Sequence, residues 1–268
     1  MVGKVPKKLI KWWGTFNYVE QQGLAKKLGT LTSLLDITPR PDLIEAISTF
    51  WDPSCLVFRF GNFEMTPTLA DVSGFFKLPC IKKIMIWART YSPTRFLHGY
   101  GLKSNKHLTC LNQSWVFFDY LYSRFEPSDG FDCFWDEFYT TKENWEKRCL
   151  EVFALALLGI LVFPLEERRV NTHFQTVVMA LFHKNLGETF TLVPMILAEI
   201  YKGLTEVKGG IRFLEGSNLI LQLWMMEHLH EPSLIRLDVI DRCMPEQVNA
   251  MNQRMHFDKF SLPIGINA

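Results

Sequence analysis

The residues best suited to bind a metal ion lie in the stretch EHLHEP, residues 227–232. Glutamate and histidine are both zinc ligands, and His228 and His230 are two positions apart. Side chains two positions apart on a helix point to different sides, and the sequence contains neither an HExxH nor a CxxC motif. We therefore interpret this stretch as a charged helix end and expect no metal site.

The sequence also lacks the motifs that are typical of nucleophilic catalysis and of phosphate binding. A hydrolytic site needs a nucleophile, a base and an orienting group, and neither a GxSxG motif nor a cysteine-protease signature is present. The pair Gly209-Gly210 is followed by Ile211 and Arg212, where a P-loop requires Lys and then Ser or Thr. The sequence therefore predicts neither a hydrolase site nor a phosphate-binding loop.

The N-terminal segment combines positive charge with aromatic side chains. Lys7, Lys8 and Lys11 lie beside Trp12 and Trp13, and this mixture can pair with phosphates and stack on bases. The other interpretation is a helix with solvated lysines and core-facing tryptophans. A net charge of +1 and the lack of a zinc module or RNA-binding signature favour that second interpretation. Nucleic-acid binding by this segment stays as the alternative function.

The composition is that of a globular protein. Of 268 residues, 48% are hydrophobic, 14% aromatic and 21% charged, so the chain can bury a substantial core. The six cysteines form no CxxC pair and no secretory signal precedes them, which predicts buried thiols in a reduced intracellular setting. They are Cys55, Cys80, Cys110, Cys133, Cys149 and Cys243.

The most apolar run predicts a buried helix. Residues 152–163, VFALALLGILVF, lie between Glu151 and Pro164. A transmembrane helix needs roughly twenty apolar residues, so this run is too short to cross a bilayer and we expect no membrane partner. The whole helix is predicted from residue 143 or 144 to 163.

Apolar residues at helical spacing predict most of the other elements. Two short helices are expected over residues 4–37, and Pro41, Asn171 or Thr172, Pro194 and a residue near 216–218 are expected to begin later ones. Two further stripes predict helices, namely Trp115, Phe118, Leu121, Tyr122 and then Phe131, Phe134, Trp135, Phe138. Between residues 80 and 108 the periodicity weakens, which predicts a linker with one short helix at 93–98.

In one stretch, residues 56–71, apolar residues alternate with other residues instead of recurring at helical spacing. Its sequence is LVFRFGNFEMTPTLAD. A two-residue turn at Gly61-Asn62 would pair Phe60 with Phe63, Arg59 with Glu64 and Phe58 with Met65. We expect these aromatic and thioether side chains to form one apolar face against helices at 43–51 and 68–76. Thr68 and Asp71 have the spacing of a capping box, which predicts that a helix follows.

These residues belong to a block that resembles a known family. Residues 42–79, DLIEAISTFWDPSCLVFRFGNFEMTPTLADVSGFFKLP, resemble the signature of the plant mobile domain, also called the aminotransferase-like plant mobile domain. Similar blocks follow in the family's order at 150–170, 193–204 and 209–229. The signature positions are Trp51, Phe58, Phe60, Gly61, Phe63, Glu64, Met65, Thr68 and Asp71.

The resemblance implies a fold and a function. It implies a mainly α, irregular multi-helix globular domain with one small β-hairpin at about 57–66, spanning residues 5–232, with a subdivision near 80–108. The family occurs in plant transposons and in nuclear host proteins linked to meristem maintenance, genome stability and transposon silencing. Some host members resemble scaffolds that work with a phosphatase-like nuclear protein. We therefore expect a nuclear location, protein partners and no enzyme activity.

Two further expectations follow from the resemblance. The aminotransferase-like label raises the hypothesis of a pyridoxal enzyme. Such an enzyme needs a Schiff-base lysine, a phosphate-binding loop and an acid for the pyridinium nitrogen. We cannot assemble that set and expect no cofactor. The family domain usually continues past the block at 209–229, so we expect a truncated domain with a short extension at 233–268.

Overall fold

The structure is a computed structural model. It describes residues 5–61, 63–78, 84–85, 88–89, 92–103, 111–112, 114–182 and 190–228. Several predictions fall outside these ranges and are not addressed by it. They concern Asn62 of the turn, three of the cysteines, His230 and the extension at 233–268.

The fold is mainly α-helical, as the sequence predicts. The α-helices are α1 (Lys7–Thr15), α2 (Tyr18–Leu28), α3 (Pro41–Ser48), α4 (Leu69–Phe76), α5 (Pro93–Gly99), α6 (Phe118–Phe125), α7 (Gly130–Cys133), α8 (Lys142–Leu157), α9 (Gln175–Phe182), α10 (Val193–Lys208) and α11 (Asn218–His228). Short 3-10 helices occupy Gly29–Asp36, Trp135–Glu137, Glu166–Arg168 and Thr172–Phe174, and a π-helical turn at Leu158–Val162 continues α8.

The strands of the described ranges are short and form three small sheets. They are β1 (Trp51–Asp52), β2 (Val57–Phe60), β3 (Phe63–Met65), β4 (Ile84–Met85), β5 (Leu111–Asn112), β6 (Trp115–Phe117), β7 (Arg169–Asn171) and β8 (Phe190–Thr191). The first sheet has the order β1-β2-β3 and the last has the order β5-β6-β7, both antiparallel, while β4 pairs with β8 in parallel.

Helix starts follow the predicted chemistry. Pro41 is the first residue of α3, where its missing N–H is not needed. The Thr68 hydroxyl accepts from the Asp71 backbone N–H, and the Asp71 carboxylate accepts from the Thr68 N–H, so the predicted capping box is formed. Asn171 accepts from the His173 N–H at the turn that leads into α9.

The predicted hairpin register is confirmed. Phe60 pairs with Phe63, Arg59 with Glu64 and Phe58 with Met65. Gly61 has a φ of 61°, a left-handed conformation that glycine adopts without steric cost.

The sequence predicts a helix over 43–51, but that helix ends at Ser48 and Trp51 lies in a third strand, β1. The Asp52 carboxylate accepts hydrogen bonds from the backbone N–H and the hydroxyl of Ser54. This Asx turn reverses the chain, so that Trp51 pairs with Phe58.

Helix α8 and its π-helical continuation form the centre of the molecule. The run at 152–163 is buried except at Ile160, which is partly buried, and α1, α2, α6 and α9 pack against α8. The predicted buried helix is therefore confirmed. In the part of the chain that the structure describes, no helix is both long and apolar enough to cross a membrane.

The helices predicted from two apolar stripes are wrong in part. Trp115 lies in β6, opposite Asn171 of β7, and the helix begins only at Phe118. The second stripe divides into the short α7 and a 3-10 turn, which leaves the Trp135 side chain 68% exposed. A 3-10 turn has three residues per turn, so the positions that share a face on an α-helix diverge there.

The cysteine prediction is also corrected. Of the three cysteines that the structure describes, Cys149 is buried, whereas Cys55 and Cys133 are exposed. Cys55 lies in the turn between β1 and β2, and Cys133 ends the short surface helix α7. Composition and spacing predict a reduced thiol, but they do not distinguish a core position from a turn.

The linker candidate is packed over its described part. Helix α5 lies at the predicted place, and Phe96, Leu97, Tyr100 and Leu102 join the hydrophobic core. The Gln175 side chain of α9 donates to the Phe96 carbonyl oxygen at 2.9 Å. The segment 92–103 therefore contributes side chains to the core. The domain bounds at 5–232 and 233–268 stay predictions.

Replacing Phe60 tests whether the sheet is a packing element. Its ring is 3% exposed, so Phe60→Ala should reduce the free energy of unfolding by about 3–5 kcal/mol, as expected for loss of a buried aromatic ring. Urea denaturation followed by far-UV circular dichroism measures this change. Arg59→Ala is the matched control, because Arg59 lies on the exposed face of the same strand. An equal midpoint for wild type and Phe60→Ala would contradict the packing role.

Candidate interaction surface

The aromatic signature residues form one continuous ring cluster. Trp51 and Phe58 lie edge to face with centroids 4.9 Å apart, and Phe58 stacks on Trp224 of α11 at 5.7 Å. Phe60 contacts Phe50 at 5.0 Å and Phe63 at 5.2 Å. Met65, opposite Phe58, is partly buried against the same core. The predicted apolar face therefore exists, and it extends to the last described helix as well as to the end of α3.

Hydrogen bonds join this sheet to α10. The Trp51 indole N–H donates to the Thr205 hydroxyl at 3.2 Å. The Tyr201 hydroxyl donates to the Pro67 carbonyl oxygen at 2.6 Å and accepts from the Thr66 hydroxyl at 3.0 Å. The Trp51 indole and the two residues that follow β3 thus have hydrogen-bond partners on α10, which helps to fix how the helix and the sheet lie against each other.

Asp71 joins α4 to α11. Besides capping α4, its carboxylate accepts the Trp224 indole N–H at 3.2 Å. The His228 Nδ1–H donates to the Trp224 carbonyl oxygen at 2.8 Å, and His228 Nε2 lies 3.8 Å from an Asp71 oxygen. The sequence indicates the capping role only, since nothing in the spacing of residues 71 and 224 predicts that they meet.

The exposed face of the sheet is an ion-pair network. Arg59 lies 2.8 Å from Glu64, as the register predicts, and 2.9 Å from Asp52. The hydrogen bonds from Ser54 and the charge of Arg59 lower the pKa of Asp52. Signature residue Glu64 and its neighbour Asp52 therefore have structural partners.

A groove opens beside this network, between α3 and the C-terminal end of α10. We call it the α3–α10 groove. It has a volume of about 650 Å³. Its apolar lining is Pro41, Ile44, Val207, Ile211 and Leu214. A second depression of about 370 Å³, which shares Thr49 and Lys208 with it, extends the groove to Trp51 and Arg59 of the sheet.

Three charged residues line the groove itself, Glu45, Lys208 and Arg212. Lys208 ends α10, is exposed, and donates to the Thr49 carbonyl oxygen at 2.8 Å. Among the described residues, no carboxylate lies within ion-pair distance of the Lys208 ammonium. Sequence reasoning missed this site, because its walls come from segments about 160 residues apart and each is an ordinary helix end.

The N-terminal helix presents lysines but not its tryptophans. Trp12 is fully buried and contacts Phe153 with ring centroids 5.5 Å apart. Trp13 is partly buried and stacks on the same ring at 5.6 Å. Lys8 pairs with Asp119 at 2.6 Å. This position removes Trp12 as a stacking surface and places the tryptophans where the second interpretation expects them.

Lys7 and Lys11 remain on the exposed face of α1, with no carboxylate partner among the described residues. The basic-aromatic segment therefore offers two solvated ammonium groups without an adjacent indole face from Trp12.

Among the described residues, no set of three or more His, Cys, Asp or Glu side chains is arranged to hold a metal ion. Burial raises the pKa of the Cys149 thiol, so it is protonated at neutral pH. Burial likewise raises the pKa of Tyr100 well above its usual value. Glu227 and His228 lie at the end of α11, packed against the core or against Asp71.

A sequence model of the plant mobile domain matches residues 29–260. The chain belongs to the plant mobile domain family. The match includes the signature block at 42–79 and the three later blocks, and it continues beyond residue 232. No significant match was found to a curated protein or to a solved structure. One wall of the groove in this plant mobile domain, from Ile44 to Thr49, lies within the 42–79 block.

A double-mutant cycle tests the link between Asp71 and Trp224. Asp71→Ala removes the carboxylate half of the capping box and the indole's acceptor and should cost about 1–3 kcal/mol of unfolding free energy. Because the two side chains share a hydrogen bond, the double variant with Trp224→Phe should be less destabilised than the sum, by roughly 0.5–1.5 kcal/mol. Urea denaturation of the four proteins gives this coupling energy. Strictly additive losses would contradict the shared bond.

Proposed function

We propose that this plant mobile domain is a non-enzymatic interaction domain that acts in the nucleus by binding other proteins. The observation that carries this proposal is the α3–α10 groove, an apolar concavity with an unpaired ammonium beside the signature sheet. Grooves of this kind, with an apolar lining and a few polar groups, are typical binding sites.

The positions of the signature residues support the same proposal. Their aromatic rings fill the core, Thr68 and Asp71 cap a helix, and Glu64 pairs with Arg59. Side chains engaged in this way hold the wall of the groove in place. They leave no signature group poised as a nucleophile or a general base, which favours binding over turnover.

The biological setting comes from membership of the family. We propose roles in meristem maintenance, genome stability or transposon silencing, or, for a transposon-encoded copy, in transposon biology. A phosphatase-like nuclear protein is the partner that the family resemblance favours. These roles require a scaffold that brings other macromolecules together, which agrees with a stable core and an open groove.

Affinity purification from plant nuclei tests the proposal. The tagged chain should recover proteins that persist after nuclease treatment, as read by mass spectrometry. Ile211→Asp, which places a charge in the groove, should lose them, because a buried carboxylate without a partner is costly in an apolar contact. Val19→Asp, at a 77% exposed position on α2, is the matched control and should retain them.

The result also separates the second candidate function. Exposed Lys7 and Lys11 favour nucleic-acid binding by α1, which predicts recovery that ends with nuclease treatment and with Lys7→Gln plus Lys11→Gln. That outcome, or recovery of no protein above a tag-only control, would contradict protein binding through the groove.

A further inference from the structure

We propose that the α3–α10 groove binds a protein segment in which apolar side chains stand next to a carboxylate. This inference rests on the proposed function and adds the chemistry of the partner. It depends on three properties of the groove, namely its apolar lining, the unpaired ammonium of Lys208 and the mixed charges around them.

The apolar lining indicates that the partner contributes apolar side chains. Ile211 is 51% exposed within the concavity, although its neighbours Ile44 and Leu214 are buried. The loop that holds Ile211 is fixed, since its backbone N–H donates to the Glu206 carbonyl oxygen at 3.0 Å. An apolar side chain presented on a fixed wall of a concavity gains free energy when a partner covers it.

Lys208 indicates that the partner also contributes a negative charge. It lies where the two depressions meet, and together with Thr49 it links the groove to the sheet. Its ammonium gives one N–H to the Thr49 carbonyl oxygen, at the C-terminal end of α3, and has two more to donate. The ammonium carries one positive charge, so a single carboxylate balances it.

Lys202, six residues earlier on α10, differs from Lys208 because it has carboxylate partners. Its ammonium lies 3.2 Å from Glu215, 3.7 Å from Glu199 and 3.8 Å from Glu206, so its charge is balanced within the chain. One exposed lysine of α10 therefore has three carboxylates around it, two from α10 and Glu215 from the segment that follows, while the next lysine, in the groove, has none among the described residues.

The mixed charges around the groove disfavour a nucleic acid as the partner. Arg59 is paired with Asp52 at the sheet end. Glu45 shares the groove lining with Lys208 and Arg212. A nucleic-acid strand brings one negative charge for each nucleotide and needs a run of cations along its path, which an apolar lining with Glu45 in its wall does not provide. A protein segment with one carboxylate among apolar residues can place its charge on Lys208 and avoid Glu45.

Peptide selection tests the inference. The folded chain is used to select from a phage-displayed library of random linear peptides, and the most enriched peptide is synthesised with a fluorescein label. Enriched sequences should combine Asp or Glu with Leu, Ile, Phe or Trp. Fluorescence anisotropy should show that Lys208→Glu weakens binding of that peptide by about tenfold or more, since it opposes like charges.

The controls use matched charge changes. Lys11→Glu makes the same change in net charge on α1 and should leave the affinity unchanged. Exchanging the peptide's carboxylate for Lys should restore binding to Lys208→Glu, which a mere loss of folding could not produce. Circular dichroism of both variants confirms that each is folded.

Four results would overturn the inference. They are selected peptides without acidic residues, equal affinity for wild type and Lys208→Glu, equal loss in Lys11→Glu, or binding of fluorescein-labelled DNA that depends on Lys208. The proposed function can survive such a failure, because nuclear proteins lost on Ile211→Asp but kept on Lys208→Glu would locate a partner in the groove without a carboxylate contact.

Discussion

The position of the Trp224 side chain is the constraint on which the rest of the structure depends. One face of its indole stacks on Phe58, and its N–H donates to Asp71. The signature sheet, the capped helix α4 and the last described helix α11 therefore meet at one residue. Tyr201 and Thr205 of α10 join the same assembly through the sheet. The wall of the groove at α10 is held by these contacts.

This arrangement gives the aromatic and capping residues of the 42–79 block a structural role. A short strand pair is marginal by itself, because it buries little apolar surface. Here the strands gain stability by placing Phe58 and Phe60 in the core and Trp51 against α10. The sheet in turn fixes the ends of α3 and α10 relative to each other, and the groove lies between those two ends.

The sequence predicts what depends on neighbouring residues. The register of β2 and β3 follows from a two-residue turn, and the starts of α3 and α4 follow from Pro41 and from the Thr68–Asp71 pair. Contacts between residues far apart in the sequence do not follow from such local patterns. Trp224 and Asp71 are 153 positions apart, and no local pattern relates them. The spacing of Trp115 from Phe118 and Leu121 predicts a helix, but its pairing with Asn171 makes it part of a strand. The groove was missed for the same reason, since it exists only once α3 and α10 are packed.

Hydrogen–deuterium exchange of Trp224→Ala, compared with wild type, tests most directly whether one residue holds these elements together. Amides of β1–β3, α4 and α11 should lose protection together, because each contacts Trp224 or a residue bonded to it, while amides of α8 remote from the cavity should change least. Faster exchange confined to α11, with the sheet and α4 protected as in wild type, would contradict the structural role assigned to the signature block.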